Sequence, residues 1–252
     1  MKIKFLGTGT STGNPEIGCT CEVCTSKNIK DRRLRASVLI DIDGKRILID
    51  CGPDFRQQIL PEKFIPFDGV LITHEHYDHV GGLDDLRPFC KLGDVPLFLE
   101  DHVATELKKR IPYCFGENLY PGVPVFQLNL VSPDNAFLIG NIEIQPVRLL
   151  HYKLPILGYR IGDFAYLTDF KIIPEEEYDK LNNLEVLTID ALRITEHLSH
   201  ENLEQALAQI ERIKPKRAYL IHMSHQMGLH DEVQKRLPEN VFLSYDGLTL
   251  NI

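Results

Sequence analysis

Short runs of apolar residues recur along this chain and are separated by polar turns rich in glycine and aspartate. The stretch SVLIDIDGKRILIDCG joins two β-rich runs through Asp43 and Gly44, a pair that favours the tight turn of a β-hairpin. Other β-like runs are MKIKFLG, VPLFLE, PVFQLNLV, AFLIGNIEIQPVRLL, LGYRIGDFAYLTD, LEVLTID, RAYLIH and VFLSYDGLTLNI. The pattern therefore predicts a protein dominated by strands.

Helical spacing of apolar residues is confined to a few segments. In SHENLEQALAQIERIKP, Leu203, Leu207 and Ile210 share one face and Pro215 ends the helix, while DHVATELKKR predicts a short helix with Asp101 as its N-cap. Early hairpins with helices between later strands predict an α/β sandwich of two sheets with helices outside, and not a doubly wound parallel sheet. No repeat or flexible linker divides the 252 residues, so we expect one domain over 1–252.

Composition narrows the possible partners. The chain has 28 basic and 36 acidic residues and a net charge of −8, which makes it a poor general binder of nucleic acid beyond nucleotides. No apolar run is long enough to span a bilayer, and MKIKFLGTGTSTG lacks the apolar core of a signal peptide. We therefore expect a cytoplasmic protein without a membrane partner. Whether it is a monomer or a homodimer is not decided by the sequence.

The segment THEHYDH carries the strongest chemical signal. Side chains alternate along an extended chain, so His74 and His76 point the same way and can hold one metal ion. Asp78 and His79 follow where the chain turns towards a helix, and they can reach a second ion. So many imidazoles and carboxylates in one segment predict a metal site.

Further candidate ligands share one position, directly after a β-like apolar run. His151 follows PVRLL, Asp169 follows FAYLT and His222 follows RAYLI. Together with THEHYDH they form a set of His and carboxylate ligands suited to zinc or manganese. Asp190 follows EVLTI in the same way, but the set is complete without it and we interpret it as structural.

These residues, in this order and at these separations, resemble the metallo-β-lactamase superfamily over essentially the whole chain. The resemblance implies a four-layer αββα sandwich with two metal ions at one edge between the sheets. It also implies how the ligands divide: His74, His76 and His151 on the first ion, Asp78, His79 and His222 on the second, and Asp169 bridging both. A water bridging the two ions would become a hydroxide nucleophile near neutral pH, and Asp78 would orient it.

A second cluster lies in GCTCEVC. Cys19, Cys21 and Cys24 supply three thiolates on one loop, which suggests structural zinc with a fourth ligand elsewhere. The alternative is a redox pair, Cys21 and Cys24, although no thioredoxin-like β-α context surrounds them. LGTGTSTGNP, GCTCEVC and HMSHQ together resemble the PhnP-type phosphodiesterases of the superfamily, and that resemblance makes His225 the fourth zinc ligand.

The segment TEHLSHENLEQAL places His197 and His200 just before a predicted helix. It resembles the family's region that supplies a histidine near the leaving group, with His200 the better match as general acid or phosphate binder. His197 could share the role. The alternative is a capping or exposed histidine before a helix with Ser199 as N-cap. His102 and His230 have no such neighbours, and we expect them at the surface.

We therefore expect a metal-dependent phosphodiesterase acting on ribose cyclic phosphates, 2′,3′-cyclic nucleotides or similar small diesters, with two active-site metal ions, one structural zinc and no organic cofactor. A tRNA 3′-processing endonuclease of the same superfamily would need a long basic arm, for which the segment 86–131 is too short and too mixed in charge. The sequence is also compatible with a PqqB-like protein of cofactor biosynthesis, which shares a related Cys loop, and with a non-catalytic metal-binding protein. Lactamases of the superfamily often carry a thiolate where this chain has Asp169, which disfavours β-lactam hydrolysis.

Overall fold

Fourteen strands and five α-helices form in the computed structural model over the residues that it describes, 1–116 and 121–252. The strands are β1 (Lys2–Gly7), β2 (Ser37–Ile42), β3 (Lys45–Ile49), β4 (Gly69–Leu71), β5 (Val95–Leu99), β6 (Phe126–Leu130), β7 (Phe137–Ile139), β8 (Ile142–His151), β9 (Leu154–Ile161), β10 (Phe164–Leu167), β11 (Val186–Asp190), β12 (Arg217–Ile221), β13 (Val241–Leu243) and β14 (Thr249–Asn251). The helices are α1 (Phe55–Ile59), α2 (Tyr77–Val80), α3 (Asp101–Arg110), α4 (Leu203–Ile213) and α5 (His230–Gln234). Residues 117–120, part of the segment 86–131 in which we expect no tRNA-binding arm, lie outside the described residues.

The strands form two seven-stranded sheets over the described ranges. One has the order β14-β1-β2-β3-β4-β5-β6 and the other β13-β12-β11-β10-β9-β8-β7. Alternation along each strand sends side chains to both faces of a sheet. In β3, for example, Ile47 and Ile49 belong to an apolar cluster shared by both sheets, whereas Leu48 packs in a cluster with residues of α1 and α3.

A third apolar cluster lies on the outer face of the second sheet. It unites residues of β10, β11 and β12 with Ala206 and Ile210 of α4 and Val233 of α5. Helices therefore cover the outer face of each sheet, and the faces between the sheets pack on each other. The predicted four-layer αββα sandwich is confirmed.

Of the local predictions from short motifs, the hairpin turn is confirmed and the two helix starts are not. The Asp43-Gly44 turn does join β2 to β3, and both residues have the positive φ angles, 46° and 78°, that this hairpin turn requires. The two predicted helix starts are wrong by a few residues. Helix α3 has Glu100 as its N-cap and not Asp101, and α4 is capped by Asn202, whose side chain forms a reciprocal capping box with Gln205.

The expectation of a surface position is wrong for His230, which is only 3% exposed. Its backbone N–H donates to Asp31 Oδ1 at 2.7 Å, and its ring Nδ1 lies 3.2 Å from the guanidinium of Arg33. Arg33 is itself buried and donates to Thr8 Oγ1 and to the carbonyl of Ser244. The histidine therefore belongs to a buried polar network that ties the amino-terminal loop to the end of the chain.

Among the described residues, no helix combines the length and the apolar character needed to cross a bilayer.

Candidate metal centre

Parallel strands bring the candidate ligands to one edge of the sandwich. Strands β3, β4 and β5 are parallel in the first sheet, and β10, β11 and β12 are parallel in the second. Asp50 follows β3, Asp169 comes soon after β10 and His222 follows β12, and their φ angles are 60°, 62° and 61°. A positive φ is uncommon outside glycine, and it turns the chain sharply away from the strand direction. All three side chains are buried where their strands end.

The THEHYDH segment approaches this edge as a loop followed by a single helical turn. His76 is extended and caps α2, so that Asp78 and His79 lie in the first turn of the helix. The loop packs directly against the end of β3, where a Cβ atom added to Gly52 would lie 2.0 Å from the carbonyl oxygen of Asp78. Glycine at position 52 is therefore required for the THEHYDH segment to approach the first sheet.

The Nε2 atoms of three histidines converge on Asp169. They lie at 2.8 Å for His79, 3.2 Å for His74 and 3.5 Å for His222 from Asp169 Oδ2. Asp78 Oδ2 lies 3.2 Å from His79 Nε2 and 3.5 Å from His222 Nε2. Asp78, His79, Asp169 and His222 thus offer four ligand atoms within 4.8 Å of one another.

A second group shares Asp169. Ligand atoms of His74, His76 and Asp169 also lie within 4.8 Å of one another, and the rings of His74 and His76 are 4.6 Å apart. The ring of His151 lies 5.1 Å from that of His76, and its ligand atom groups with Asp169 and His200. The structure therefore brings all seven sequence-predicted residues together, and each of them belongs to at least one group that contains Asp169.

Several of the ligand histidines use Nδ1, the ring nitrogen that points away from the centre, for hydrogen bonding. Their Nε2 atoms are then free to bind cations. His74 Nδ1 lies 3.0 Å from Thr73 Oγ1, His79 Nδ1 lies 2.7 Å from Asp50 Oδ2, and His151 Nδ1 lies 3.1 Å from the Ser199 carbonyl. Within the described residues, His74 Nε2, His79 Nε2 and Asp169 Oδ1 are buried without a hydrogen-bond partner. Such orphaned atoms are costly unless a ligand satisfies them, and His and carboxylate donors fit divalent metal ions.

The electrostatics of the centre favour positive charge. Burial raises the pKa of Asp78 and Asp169, but the imidazoles, chiefly His79 for Asp78 and His222 for Asp169, outweigh it and hold both carboxyl pKa values below their usual range. Burial lowers the pKa of His74 to about 3, whereas the carboxylates of Asp78 and Asp50 overcome burial and raise that of His79. The carboxylates therefore stay ionised inside the fold, as ligands of a cation must.

Two further carboxylates lie at the centre beside the predicted ligands. Asp50 is absent from the predicted ligand set, yet it is fully buried and accepts hydrogen bonds from the backbone N–H and the hydroxyl of Thr73. Asp190 is predicted to be structural, yet its Oδ1 lies 3.6 Å from His222 Nδ1 and its Oδ2 lies 3.6 Å from His200 Nδ1. Both follow an apolar strand. The strand-end pattern used for Asp169 also identified Asp190, which we interpreted as structural, and it could have identified Asp50.

Substituting Asp50→Asn should weaken metal binding by about 10–100-fold, the usual effect of losing a carboxylate that orients a ligand histidine. An amide has an acceptor oxygen at only one of the two carboxylate oxygen positions, so it cannot accept from the Thr73 backbone N–H at one and from His79 Nδ1–H at the other. Competition against a graded series of chelators measures the affinity. Asp43→Asn is the matched control, because Asp43 is exposed and also has a positive φ. Unchanged affinity in Asp50→Asn would show that Asp50 does not orient His79.

His200 lies beside the centre and not in a helix cap. Its Nδ1 is 2.9 Å from Asp169 Oδ1, and its ring stacks on that of His222 with centres 5.1 Å apart. Burial lowers the pKa of His200, but the contacts with Asp169 and Asp190 raise it to about 10. The ring of His197, which is half-buried, lies 5.0 Å from that of His200. His200 is therefore placed to contact a group bound at the centre.

The cysteine loop and His225 meet outside this centre. His225 Nδ1 lies 3.2, 3.3 and 3.4 Å from the Sγ atoms of Cys19, Cys21 and Cys24. A tetrahedral zinc ion with ordinary bond lengths places its sulfur and nitrogen ligands about 3.5 Å apart. The Cys24 backbone N–H lowers the pKa of the Cys21 thiol to about 6, which favours the thiolate. The donor set and its spacing fit a Cys₃His zinc ion.

Comparison with known proteins places this arrangement in a family. The family model for the beta-lactamase superfamily domain matches residues 45–223. The crystal structure of a diphosphatase from the PhnP family is 38% identical, with a TM-score of 0.93, and the match covers 100% of this chain and 97% of that one.

Two curated relatives match a smaller share of their own length. A protein of Porphyromonas gingivalis named octanoyltransferase is 47% identical over 250 residues, which are 98% of this chain and 51% of that protein. Coenzyme PQQ synthesis protein B of Methylorubrum extorquens is 30% identical over 158 residues, 52% of each chain. The chain thus spans about half the length of these curated relatives.

The family match from 45 to 223 includes all seven residues that converge on the shared edge: His74, His76, Asp78, His79, His151, Asp169 and His222. Three further observations agree with this family match: the helices outside two mixed sheets, the converging His and Asp side chains, and the similarity to the PhnP-family diphosphatase. This chain belongs to the metallo-β-lactamase superfamily, a family of metal-dependent hydrolases, and within it to the PhnP type.

Proposed function

We propose that this protein is a metal-dependent phosphodiesterase that hydrolyses small or cyclic phosphodiesters, including ribose cyclic phosphates and 2′,3′-cyclic nucleotides. One observation carries the proposal: Asp169 is shared by two groups of ligand atoms, one with His74 and His76 and one with Asp78, His79 and His222. A shared carboxylate suits a dinuclear centre, and such centres are well suited to phosphoester hydrolysis.

The proposed ligand assignment follows these groups. His74, His76 and His151 would hold one ion and Asp78, His79 and His222 would hold the other, with Asp169 placed between the two sets. Zinc and manganese both suit these donors. When bound, the ions acidify a water and neutralise phosphoryl oxygens. Cys19, Cys21, Cys24 and His225 would hold a separate zinc ion with a structural role.

The protein's own groups supply orientation and protons. Asp78 is partly open to solvent at its carboxylate and lies beside His79 and His222, where it can hold the attacking water in line. His200, whose Nδ1 lies 2.9 Å from Asp169 Oδ1, faces the opposite oxygen of the shared carboxylate from His74 and His79. We assign it to the leaving oxygen, which needs a proton when it is an alkoxide.

The PhnP-family diphosphatase favours a second candidate, hydrolysis of a diphosphate bond. The same centre would serve, because phosphoanhydrides present the same phosphoryl oxygens. The name octanoyltransferase gives weaker guidance, since the matched 250 residues are only 51% of that protein.

A substrate screen with metal-reconstituted protein tests the proposal. It should include bis(p-nitrophenyl) phosphate, 2′,3′-cyclic AMP, ADP, pre-tRNA, nitrocefin and p-nitrophenyl octanoate. We expect turnover of the two diesters. ADP cleavage without diester cleavage would establish the diphosphatase candidate instead. Cleavage of pre-tRNA or the octanoyl ester alone, or inactivity on all six, would refute the proposal.

His200→Ala should lower turnover of 2′,3′-cyclic AMP by about 10²–10⁴-fold, the usual contribution of a general acid. Turnover of bis(p-nitrophenyl) phosphate should fall much less, because p-nitrophenolate leaves without a proton. Steady-state kinetics on both substrates measure the difference. His102→Ala, a partly exposed histidine on α3, is the control. Equal losses on both substrates would assign His200 to phosphate binding instead.

A further inference from the structure

The segment that carries His197 and His200 has little apolar packing to hold it. It connects β11 to α4 without forming a helix or strand of its own. Ile194 is 48% exposed and Leu198 is 72% exposed. The part of the segment before His200 must therefore be held by polar contacts.

Arg193 supplies three of those contacts from one guanidinium group. Two lie within the segment, where Nη2 donates to the carbonyl of Glu196 at 2.6 Å and Nε donates to that of Thr195 at 3.2 Å. The third leaves the segment, with Nη1 donating to Gln226 Oε1 at 2.9 Å. Arg193 thus folds the segment around itself and attaches it to a single external side chain, Gln226.

Gln226 is the immediate neighbour of His225, which faces the three thiols of the cysteine loop. The same stretch also meets the segment through its backbone. Ser224 donates to the carbonyl of Leu192 from its N–H at 2.9 Å and from its hydroxyl at 3.1 Å, and the N–H of Ile194 points to the carbonyl of Gln226 at 3.5 Å. The stretch 224–226 is therefore the support on which the beginning of the His200 segment rests.

We propose that Gln226 is a positioning residue through which the occupied Cys₃His site fixes the segment 193–199 and thereby His200. This inference rests on the proposed function for its kinetic consequence. Without zinc, His225 is no longer fixed among the thiolates. The stretch 224–226 then no longer keeps Gln226 in place to accept from Arg193. The far end of the segment keeps a separate anchor, since the Ser199 carbonyl lies 3.1 Å from His151 Nδ1. Loosening is therefore largest before Ser199, and it reaches His200 as a small displacement, because Lys171 Nζ also donates to the His200 carbonyl at 3.1 Å.

The proposal separates Gln226 from residues that only support the fold. Gln226→Ala should reduce turnover of 2′,3′-cyclic AMP by about tenfold, because small displacements of a group that acts on the leaving oxygen are costly. Turnover of bis(p-nitrophenyl) phosphate should stay within about twofold of wild type, since its leaving group needs no proton. Gln226→Glu should restore cyclic AMP turnover, because a carboxylate accepts from Arg193 at least as well.

Two readouts do not depend on activity. Metal content should be unchanged in Gln226→Ala at both sites, and amide hydrogen exchange should become faster in 194–198 but not in β10 or β12. Gln57→Ala, exposed on α1, is the matched control. If exchange in 194–198 is unchanged, or if both substrates lose activity equally, the proposal is wrong. If wild-type protein cleaves neither diester, the proposed function fails, while the exchange experiment still decides the coupling.

A double-mutant cycle with Cys21→Ser provides the decisive test. The quantity compared is the loss of cyclic AMP turnover relative to the loss of bis(p-nitrophenyl) phosphate turnover. If zinc acts on His200 through Gln226, this relative loss should be the same in Cys21→Ser and in the double variant that also carries Gln226→Ala. Independent effects that multiply would show that the zinc site and Gln226 act separately, which would overturn the proposal.

Discussion

Asp169→Asn is expected to lower phosphodiester turnover by about a thousandfold or more while the protein stays folded. The reason is that three imidazoles, His74, His79 and His222, converge on this one carboxylate. An amide removes the negative charge that both groups share, and stabilisation of this kind is worth several kcal/mol, each 1.36 kcal/mol being tenfold in rate. Kinetics on bis(p-nitrophenyl) phosphate at saturating metal provide the measurement.

The fold should survive because asparagine has the same shape and also tolerates the left-handed backbone at position 169. Circular dichroism and thermal unfolding check this, with Asp43→Asn as the control for an Asp→Asn change at another residue of positive φ. A fully metallated Asp169→Asn protein with wild-type turnover would remove Asp169 from the mechanism.

The second large effect concerns stability and distinguishes the two histidines of IHMSHQMG. His225→Ala and Cys21→Ser should both lose the chelation-resistant zinc and melt about 5–15 °C lower, because the binding energy of a structural zinc ion is also folding energy. His222→Ala should keep that zinc, because its Nε2 faces Asp78 and Asp169 and not the cysteine loop. It should instead lose activity and active-site metal.

Zinc content after mild chelation and the thermal midpoint, measured side by side for the three variants, check this prediction. If His222→Ala loses the resistant zinc and His225→Ala keeps it, the two histidines have been assigned in reverse. If Cys21→Ser alone loses zinc, the fourth ligand is not His225.

Strand-end chemistry was the most productive sequence signal. His151, Asp169 and His222 each follow an apolar run, and parallel pairing brings the ends of β10 and β12 to the same edge as the THEHYDH loop. The positional pattern can be read from the sequence because strand direction and burial are local properties. Pairing between segments as distant as His74 and His222 is not local, and the order of the strands within each sheet came from the structure alone.

The failures of sequence reasoning have equally physical causes. Asp50 belongs to the same pattern and was missed, because a carboxylate that orients a histidine looks the same in sequence as one that only ends a strand. The cap of α4 was misplaced because SHEN contains several capping residues, and only the reciprocal contact of Asn202 with Gln205 selects one. His230 was expected at the surface because its buried partners, Asp31 and Arg33, are about 200 residues away in the chain.

The left-handed turns at Asp50, Asp169 and His222 also restrict how this centre can change its metal preference. Asparagine and aspartate occupy such positions readily, whereas most other residues lose about 1–2 kcal/mol there. Exchange of Asp169 for cysteine, a softer ligand that would favour zinc over manganese, therefore carries a conformational cost as well as a chemical one. The same exchange at His76 or His151, where φ is not positive, carries no such cost. Substitutions that change the metal preference, by selection or by design, should therefore be tolerated best at His76 in the THEHYDH loop and at His151 in β8. They should be tolerated least at the three left-handed turns.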